Sequence, residues 1–321
     1  MKVLFIASGN HETPSAVLTN QAEALKSEGV EVEWYLLKGK GIKGYLRNVK
    51  PLRKYLREHK YDAIHAHFSL SAFVASWAGA KSLIVSLMGD DVKAARWYKF
   101  IVRLFAACYR WKAIIVKSND MYQDLGMVRA LVIPNGVNLE RFCPKLKEEC
   151  QKSLGWDSKK KHILFPANAS RPVKDYSLAE AAVKELEIGD RKLENGGVEI
   201  HAFENTPNED TPYWYNAADV VLMTSKWEGS PNAIKEAMAC SRPIVSNDVG
   251  DVAERVANVD GCYVVHRDSR LKMIDELARS LEHALKFDKT KGRVKIIADG
   301  LDAHDINRRL IAVYKEKKRL L

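Results

Sequence analysis

Short apolar segments rich in β-branched residues alternate along the chain with longer segments in which apolar residues recur every three or four positions. The first pattern is typical of buried strands and the second of amphipathic helices. We predict strands near residues 2–7, 30–37, 62–67, 82–88, 113–118, 130–134, 162–167, 198–203, 219–225, 243–247 and 262–265. Segments 269–286 and 304–320 are predicted to be helices. Strands that alternate with helices predict an α/β protein with parallel, doubly wound sheets.

The length of the chain predicts two domains, because 321 residues exceed the usual size of one. A Pro134-Asn-Gly136 turn, followed by a charged run to Lys161, marks the boundary between the two halves. We therefore predict one α/β domain over residues 1–140 and a second over 141–303.

Positive charge is confined to the first half of the chain. Residues 1–145 contain 22 Lys/Arg and 12 Asp/Glu, whereas residues 146–321 contain 29 of each, so the net charge of +10 belongs to the first part. Such asymmetry indicates an anionic partner for the first domain.

The five cysteines follow no disulfide or metal spacing, which favours reduced thiols in a cytoplasmic protein. The start of the chain is predicted to be a strand and is too short for the apolar region of a signal peptide. The longest uncharged stretch, 63–80, contains five polar side chains, which disfavours a membrane span. The protein is therefore expected to be soluble or peripheral.

Two glutamates bracket the turn that follows the predicted strand 219–225. We predict that Ser230 caps the next helix, with Pro231 in its first position. Glu228 then lies on the loop at the sheet edge, and Glu236 lies in the second turn of the helix. Free N–H groups at a helix start bind anions, and carboxylates accept hydrogen bonds from hydroxyls. The pattern predicts a pocket for a sugar nucleotide.

The segment Glu228-Gly-Ser-Pro-Asn-Ala-Ile-Lys-Glu236 resembles the paired-glutamate motif of the retaining glycosyltransferases of the GT-B fold, family 4 (glycosyl transferases group 1). Five more segments resemble that family in the expected order: His65-Ala-His67, Leu87-Met-Gly-Asp-Asp91, Pro134-Asn-Gly-Val-Asn-Leu-Glu-Arg-Phe142, Asn216-Ala-Ala-Asp219 and Arg242-Pro-Ile-Val245. The resemblance extends over nearly the whole chain.

The resemblance implies two Rossmann-like domains that face each other across a cleft. Residues 1–140 would form the acceptor side and 141–303 the nucleotide-sugar side, with the last helix, 304–321, packing back on the first domain. It also implies a hexosyltransferase-type enzyme that moves a sugar from a nucleoside-diphosphate sugar to an acceptor, with retention of configuration. Such enzymes often build bacterial surface polysaccharides or glycolipids.

Donor-site roles follow from the same resemblance. Glu228 would contact the transferred sugar as the catalytic carboxylate, and Glu236 would hold the ribose hydroxyls. Lys174 would neutralise the diphosphate, assisted by Arg171, which lies three positions before it; the family's arginine usually lies five before, where this chain has Ala169. The other donor-binding candidates are Gly9, Gly229, Ser230 and Asn232.

The acceptor-side candidates are His11, His67, Asp91, Lys43 and Arg47. Asp91 is also predicted to cap the helix that follows it, and a buried structural histidine is the favoured interpretation of His67. Many relatives have a histidine where this chain has Met88, which cannot titrate. Either the reaction does not need that histidine or another residue replaces it.

No metal is expected. The sequence contains no Asp-x-Asp, and its histidines and cysteines lack the spacing of metal ligands. The nucleotide sugar is therefore the only small molecule that we expect to be required.

Two basic segments leave the partner of the first domain open. Residues 38–60 contain nine Lys/Arg and one acid; residues 92–119 contain Lys/Arg and aromatic residues but no acid. Basic and aromatic residues together suit an anionic membrane or nucleic acid. For 92–119, an ordinary amphipathic helix with buried aromatics is an equal alternative.

A protein peripheral to the inner face of the membrane, with a lipid-linked or saccharide acceptor and no nucleic acid, is the preferred interpretation. A catalytically silent relative that binds sugar nucleotides would explain Met88. A nucleic-acid-binding protein would explain the charge but not the paired glutamates.

Overall fold

The computed structural model describes residues 1–10, 14–93, 96–188 and 197–316, with the backbone alone at 90, 93 and 96. The chain divides into two compact units. The first comprises Met1–Gly136 together with Ala303–Leu321, and the second comprises Val137–Asp302. The assignment of acceptor and donor roles to the two halves stays a prediction.

The first unit is built on a parallel six-stranded sheet in the order β2-β1-β3-β4-β5-β6. Its strands are β1 (Lys2–Ser8), β2 (Glu31–Leu37), β3 (Ala63–His67), β4 (Leu83–Ser86), β5 (Ala113–Val116) and β6 (Leu131–Val132). Its helices are α1 (Ala16–Ser27), α2 (Gly41–Leu46), α3 (Val49–Glu58), α4 (Ser69–Ala78), α5 (Asp90–Lys93), α6 (Arg96–Cys108), α7 (Asn119–Leu125) and α15 (Ala303–Lys315).

The second unit contains a parallel five-stranded sheet in the order β11-β10-β9-β7-β8. Its strands are β7 (Lys161–Phe165), β8 (Val198–Ala202), β9 (Val220–Met223), β10 (Ile244–Asn247) and β11 (Cys262–Val265). Its helices are α8 (Lys147–Leu154), α9 (Tyr176–Ile188), α10 (Thr211–Ala217), α11 (Asn232–Ala239), α12 (Val252–Val256), α13 (Arg270–Ala284) and α14 (Gly292–Ala298). The predicted α/β class and all eleven predicted strands are therefore confirmed.

The central strands are apolar because helices cover both faces of each parallel sheet. In β1, the run from Val3 to Ile6 is fully buried, and in β9 the run from Val220 to Leu222 is buried too. None of the helices that the structure describes combines the length and apolar character needed to cross a membrane.

The last helix, α15, belongs to the first unit. Arg309 donates to the carbonyl of Val132 over 2.6 Å, and the Tyr314 hydroxyl lies 2.7 Å from His65 Nδ1. Buried Lys112 donates to the Tyr314 carbonyl over 3.0 Å. These contacts bind α15 to strands β3 and β6 and to the residue that directly precedes β5. Residues 317–321 of the predicted helix lie outside the described part of the chain.

Two histidines are fully buried on β3. His65 contacts the Tyr314 hydroxyl and, through Nε2, the Ser86 hydroxyl at 2.8 Å, whereas His67 packs against the Phe5 ring at a centroid distance of 4.6 Å. Within the described residues neither ring nitrogen of His67 has a hydrogen-bond partner. Burial lowers the pKa of His65 and of His67 well below the ordinary value. Both side chains are therefore neutral at pH 7.

We expect the unfolding free energy to fall as the pH drops below about 6.5. The unfolded chain binds protons on both histidines at about that pH, whereas the folded chain does not, so stability is complete above 6.5 and is lost on acidification. Protonation of each histidine in the unfolded chain should lower the free energy of unfolding by about 1.4 kcal/mol at pH 5.5. Denaturant unfolding at pH 7.5 and 5.5 measures the difference.

The variant His67→Leu should show a smaller loss between these pH values. His59→Gln, which removes an exposed histidine of the same unit, is the matched control and should keep the wild-type difference. An unchanged pH dependence in His67→Leu would contradict the prediction.

Candidate functional site

The donor-side candidates lie on loops at the carboxyl edge of the second sheet. Strands β7 and β9 are hydrogen-bonded neighbours, with Leu164 opposite Val221. The loop after β7 forms a short 3-10 turn, Pro172–Lys174, and the loop after β9 carries Glu228. The Thr224 hydroxyl donates to the Lys174 carbonyl over 3.1 Å and thereby joins the two loops. Ligands of α/β sheets bind at this edge.

Lys174 and Glu228 form an ion pair through Nζ and Oε1. Both side chains are largely buried, with 15% and 18% of their surface exposed. The two residues are 54 positions apart in sequence, and the structure brings them together as a pair. A partly buried ion pair of this kind contributes little to folding stability when it is intact. Removal of one partner is destabilising, because the other charge is then buried without a counter-ion. An anion for Lys174 or hydroxyls for Glu228 would replace the lost partner.

Arg171 precedes the 3-10 turn and its residue is exposed. Its backbone N–H donates to the Asn168 carbonyl over 3.2 Å. It lies on the same loop as Lys174, but its side chain faces solvent rather than the Glu228 carboxylate.

The start of α11 differs from the prediction. Pro231, with φ −68° and ψ 123°, is the N-cap, so Asn232 is the first helical residue. Ser230 therefore does not cap the helix. Its hydroxyl instead donates to Asp251 Oδ2 over 2.8 Å and accepts from Lys235 Nζ over 3.2 Å. The two buried charged side chains outcompete the helix N–H groups for this hydroxyl because charged partners form the stronger hydrogen bonds.

Lys235 and Asp251 are buried beside Ser230 and were not recognised from the sequence. Lys235 is 1% exposed, and burial lowers its pKa to about 8, while Asp251 acts in the opposite direction. Burial raises the pKa of Asp251, which is also bound by Arg255 at 3.1 Å. Charged side chains are rarely buried unless paired, so this cluster holds the loop that carries Glu228 and Gly229 to α11 and α12.

Glu236 is held by a tyrosine. The Tyr215 hydroxyl donates to Glu236 Oε2 over 2.7 Å, and Tyr215 itself is fully buried. Burial raises the pKa of Glu236, and the Tyr215 hydrogen bond acts against that rise. Tyr215 therefore fixes the orientation of the carboxylate. It follows no motif that would have revealed it in the sequence.

Gly229 is packed against a second glycine. Gly250 has φ +59°, and a Cβ there would come within 2.5 Å of the Gly229 carbonyl oxygen. The loops after β9 and β10 thus approach each other at backbone distance, which only glycine permits at position 250.

Four buried polar atoms near these loops have no hydrogen-bond partner within the described part of the chain. They are Ser225 Oγ, Asn232 Oδ1, Asn247 Oδ1 and Asp251 Oδ1. They lie after β9, at the start of α11, at the end of β10 and just before α12. Buried polar atoms are nearly always bonded, and water or a ligand is the usual partner where protein groups are missing. The same edge that carries Glu228 therefore has unused capacity for hydrogen bonds.

The remaining candidates belong to the first unit. Gly9 directly follows β1, and a Cβ there would come within 2.6 Å of Leu36 Cβ, so packing alone requires glycine. Lys43 and Arg47 are exposed on α2 and at its end, whereas His67 is buried in β3. His11 lies outside the described residues.

Asp91 does not cap the helix that follows it. It lies within α5, and its carboxylate accepts from the backbone N–H groups of Ser69 and Met88, both at 2.9 Å. Ser69 begins α4, so Asp91 binds the start of the preceding helix. The register of β3 and β4 places that helix start beside Asp91.

Away from these loops, the structure brings together three possible metal ligands, His162, Glu199 and His201. The spacing of histidines along the chain did not indicate such a group. Its members lie on two strands whose pairing cannot be seen in the sequence.

Two family models match successive parts of the chain. Residues 14–141 match a model described as Glycosyltransferase Family 4, and residues 171–283 match one described as Glycosyl transferases group 1. A curated relative from Escherichia coli, UDP-Gal:alpha-D-GlcNAc-diphosphoundecaprenol alpha-1,3-galactosyltransferase, is 27% identical over 64% of this chain and 63% of its own length. The chain therefore spans less than two thirds of that relative.

Solved structures share the fold. Sucrose-phosphate synthase from Thermosynechococcus elongatus is similar with a TM-score of 0.76 and 16% identity, over 98% of each chain. HepE of Anabaena, in complex with UDP-glucose, is similar with a TM-score of 0.68 and 16% identity, over 97% of this chain and 98% of that one. With both family models matched and this fold, the chain belongs to the family 4, group 1 glycosyltransferases and has the GT-B fold.

Proposed function

We propose that this protein is a retaining glycosyltransferase that uses a nucleoside-diphosphate sugar. The observation that carries the proposal is the partly buried pair of Lys174 and Glu228 at the carboxyl edge of the second sheet. The positive charge of Lys174 suits the diphosphate of such a donor, and the carboxylate of Glu228 suits its sugar hydroxyls. Family membership and the UDP-glucose complex of HepE, a protein of the same fold, support this choice of donor.

Donor binding would open the ion pair. Lys174 would turn to the diphosphate and stabilise its charge as the sugar departs, with Arg171 available on the same loop. Glu228, released from the lysine, would accept hydrogen bonds from the sugar hydroxyls. Glu236, oriented by Tyr215, would bind the ribose. None of these roles requires a metal ion.

A lipid-linked, diphosphate-bearing acceptor is the proposed partner. The name of the Escherichia coli relative gives a diphosphoundecaprenol acceptor for that protein. In this chain the excess positive charge lies in the first 145 residues, which suits an anionic acceptor at a membrane. We place the protein at the cytoplasmic face of the membrane, where a nucleotide sugar and such a lipid are both accessible.

Two sets of exposed side chains support docking on a membrane. The cations of α2, α3 and their flanks are exposed: Lys38, Lys40, Lys43, Arg47, Lys50, Arg53, Lys54 and Arg57. Trp97, Phe100 and Leu104 are exposed on α6, by 65%, 63% and 47%. We call these two sets together the docking face.

Helix α6 has apolar residues on both sides. Tyr98 and Phe105 pack on the core, as an ordinary amphipathic helix would require, whereas Trp97, Phe100 and Leu104 recur at intervals of three and four on the exposed side. Large exposed apolar patches mark interaction surfaces. Aromatic residues beside cations suit the interface of a bilayer.

Trp77 of α4 contacts residues of both α3 and α6. Its carbonyl accepts from Arg53 over 2.6 Å, and its ring lies 5.3 Å from the ring of Phe105, on the core side of α6. Helix α4 therefore lies against both helices that carry the docking face.

A silent relative that binds nucleotide sugars without transferring them is the second candidate, and Met88 is the observation that favours it. Turnover of a panel of nucleotide sugars separates the two, because a silent relative would bind a donor without consuming it.

Glu228→Gln should reduce turnover roughly ten- to hundred-fold, because a charge-assisted hydrogen bond of about 1.5–3 kcal/mol is lost from the transition state. Steady-state kinetics with the preferred donor measures the loss. Glu236→Gln is the variant for comparison. It should weaken the binding of the free nucleoside diphosphate as much as the binding of the whole donor. Near-normal turnover in folded Glu228→Gln would remove Glu228 from the site.

Lys174→Ala should weaken binding of the free nucleoside diphosphate more than Arg171→Ala does. Lys174 is held beside Glu228, whereas Arg171 is exposed, and an exposed cation contributes less. Isothermal titration calorimetry with the free diphosphate compares the two. A larger loss for the arginine variant would contradict the assignment of Lys174.

Vesicles that contain anionic lipid should bind the protein strongly in low salt, and neutral vesicles should not. Each cation near the surface contributes about 1 kcal/mol, so three give roughly hundred-fold partitioning. Replacing Lys43, Arg47 and Lys50 with Glu should abolish binding in a vesicle co-sedimentation assay. Trp97→Ser with Phe100→Ser should weaken binding to anionic vesicles in low salt, because aromatic insertion adds to the charge attraction, and 1 M salt, which screens charge within about 3 Å, should remove most of the binding.

The control exchanges three exposed lysines of the second unit, Lys152, Lys159 and Lys289, for Glu, which makes the same change in net charge. This variant should bind vesicles like the wild type. Equal binding to neutral and anionic vesicles would overturn the docking proposal and favour a soluble saccharide acceptor.

A further inference from the structure

Three side chains from the neighbouring strands β7 and β8 converge on one face of the second sheet. In the parallel pair β7–β8, His162 is opposite Glu199 and Leu164 is opposite His201, so His162, Glu199 and His201 lie on the same face. His162 Nδ1 is 2.9 Å from His201 Nε2, and Glu199 Oε2 is 3.8 Å from each of these nitrogens. Two imidazole nitrogens and one carboxylate oxygen thus form a small triangle.

The tautomer of His162 is set by the hydrogen bond of its Nε2 atom. His162 Nε2 lies 2.9 Å from the Asp157 carbonyl, which can only accept, so Nε2 carries the proton. The Nδ1 lone pair is left facing His201. Histidines that bind metals are commonly oriented in this way, through a hydrogen bond from the second nitrogen to a carbonyl or carboxylate.

Glu199 is oriented by a lysine. Lys160 Nζ contacts Glu199 Oε1 at 2.5 Å, which leaves Oε2 on the side of the two histidines. The Lys160 contact lowers the pKa of Glu199, so the carboxylate is ionised at neutral pH.

Two tryptophan rings fix the orientation of the His201 ring. The Trp156 ring stacks on it with a centroid distance of 3.7 Å and an interplanar angle of 8°, and Trp214 meets Trp156 edge-on at 5.5 Å. Burial lowers the pKa of His201 to about 4, which keeps its imidazole neutral. Neutral imidazole is the form that binds metals.

We propose that His162 Nδ1, His201 Nε2 and Glu199 Oε2 bind one Zn²⁺ ion, with solvent as the fourth ligand. Ligand atoms about 2.0–2.1 Å from Zn²⁺ in a tetrahedron lie roughly 3.4 Å apart, and the observed separations of 2.9 and 3.8 Å lie on either side of that value. The ion replaces the His162–His201 hydrogen bond, and the proton of His201 moves from Nε2 to Nδ1.

A metal ion at this site would stabilise the fold and would take no part in the transfer reaction. None of its three ligands belongs to the donor-side candidates, and β8 is an edge strand of the sheet. An ion held by β7 and β8 would cross-link that edge strand to its neighbour and stabilise the folded protein by mass action.

The test is a titration of the whole 321-residue chain, first stripped of metals with a chelator, with Zn²⁺ by isothermal titration calorimetry. We expect one ion per chain and a rise in Tm on addition of Zn²⁺. Co²⁺ in its place should give the intense visible absorption of a tetrahedral site.

The variants His201→Gln and Glu199→Gln should weaken Zn²⁺ binding by more than roughly 100-fold, because changes outside the ligands alone cost 10–100-fold. Neither replaces the fully buried His162, so both are expected to fold, which the Tm without metal verifies. His283→Gln, at an exposed histidine of α13, is the control and should bind like the wild type.

Equal Zn²⁺ affinity in wild type and His201→Gln would overturn the proposal, because the ion would then bind elsewhere. Absence of binding to the wild type at 100-fold molar excess would do the same and would leave the histidine pair as a hydrogen bond alone. Failure of the glycosyltransferase proposal would change neither outcome.

Discussion

The parallel pairing of β7 with β9 sets the position of every donor-side candidate in the second unit. Leu164 opposite Val221 brings the loops that carry Lys174 and Glu228, residues 54 positions apart in the chain, to one sheet edge. Because the strands run in parallel, both loops leave at their carboxyl ends, where helix starts and free N–H groups also gather. The ion pair of Lys174 and Glu228 is a consequence of this register.

Around that pair, charged groups are buried at a cost to stability. Lys235 and Asp251 are both withdrawn from water, and their mutual attraction with Ser230 offsets part of the desolvation. Burial shifts the pKa of Lys235 downward and that of Glu236 upward, in the directions that disfavour charge. Clusters of such groups are typical of functional sites, where rigidity and orientation matter more than stability.

The first unit carries its unusual features on its surface and in one buried strand. Helix α6 keeps Trp97 and Phe100 in solvent while Phe105 packs inward, which costs solubility unless a partner covers them. His67 is buried without a hydrogen-bond partner among the described residues, an arrangement that depends on its remaining neutral. We therefore expect the stability of this unit to depend on pH and the exposed rings of α6 to be covered by an apolar partner.

The sequence by itself determined the eleven strands, the α/β class and the family, because apolar periodicity and the Glu228–Glu236 segment are local patterns. It did not determine the contacts of Ser230 or Asp91, because each has one partner more than twenty residues away, Asp251 and Ser69, that only the fold brings near. Nor could it show which aromatics of α6 face outward, or that His162 meets His201. Those outcomes depend on strand register and helix packing, which a single sequence does not encode in its spacing.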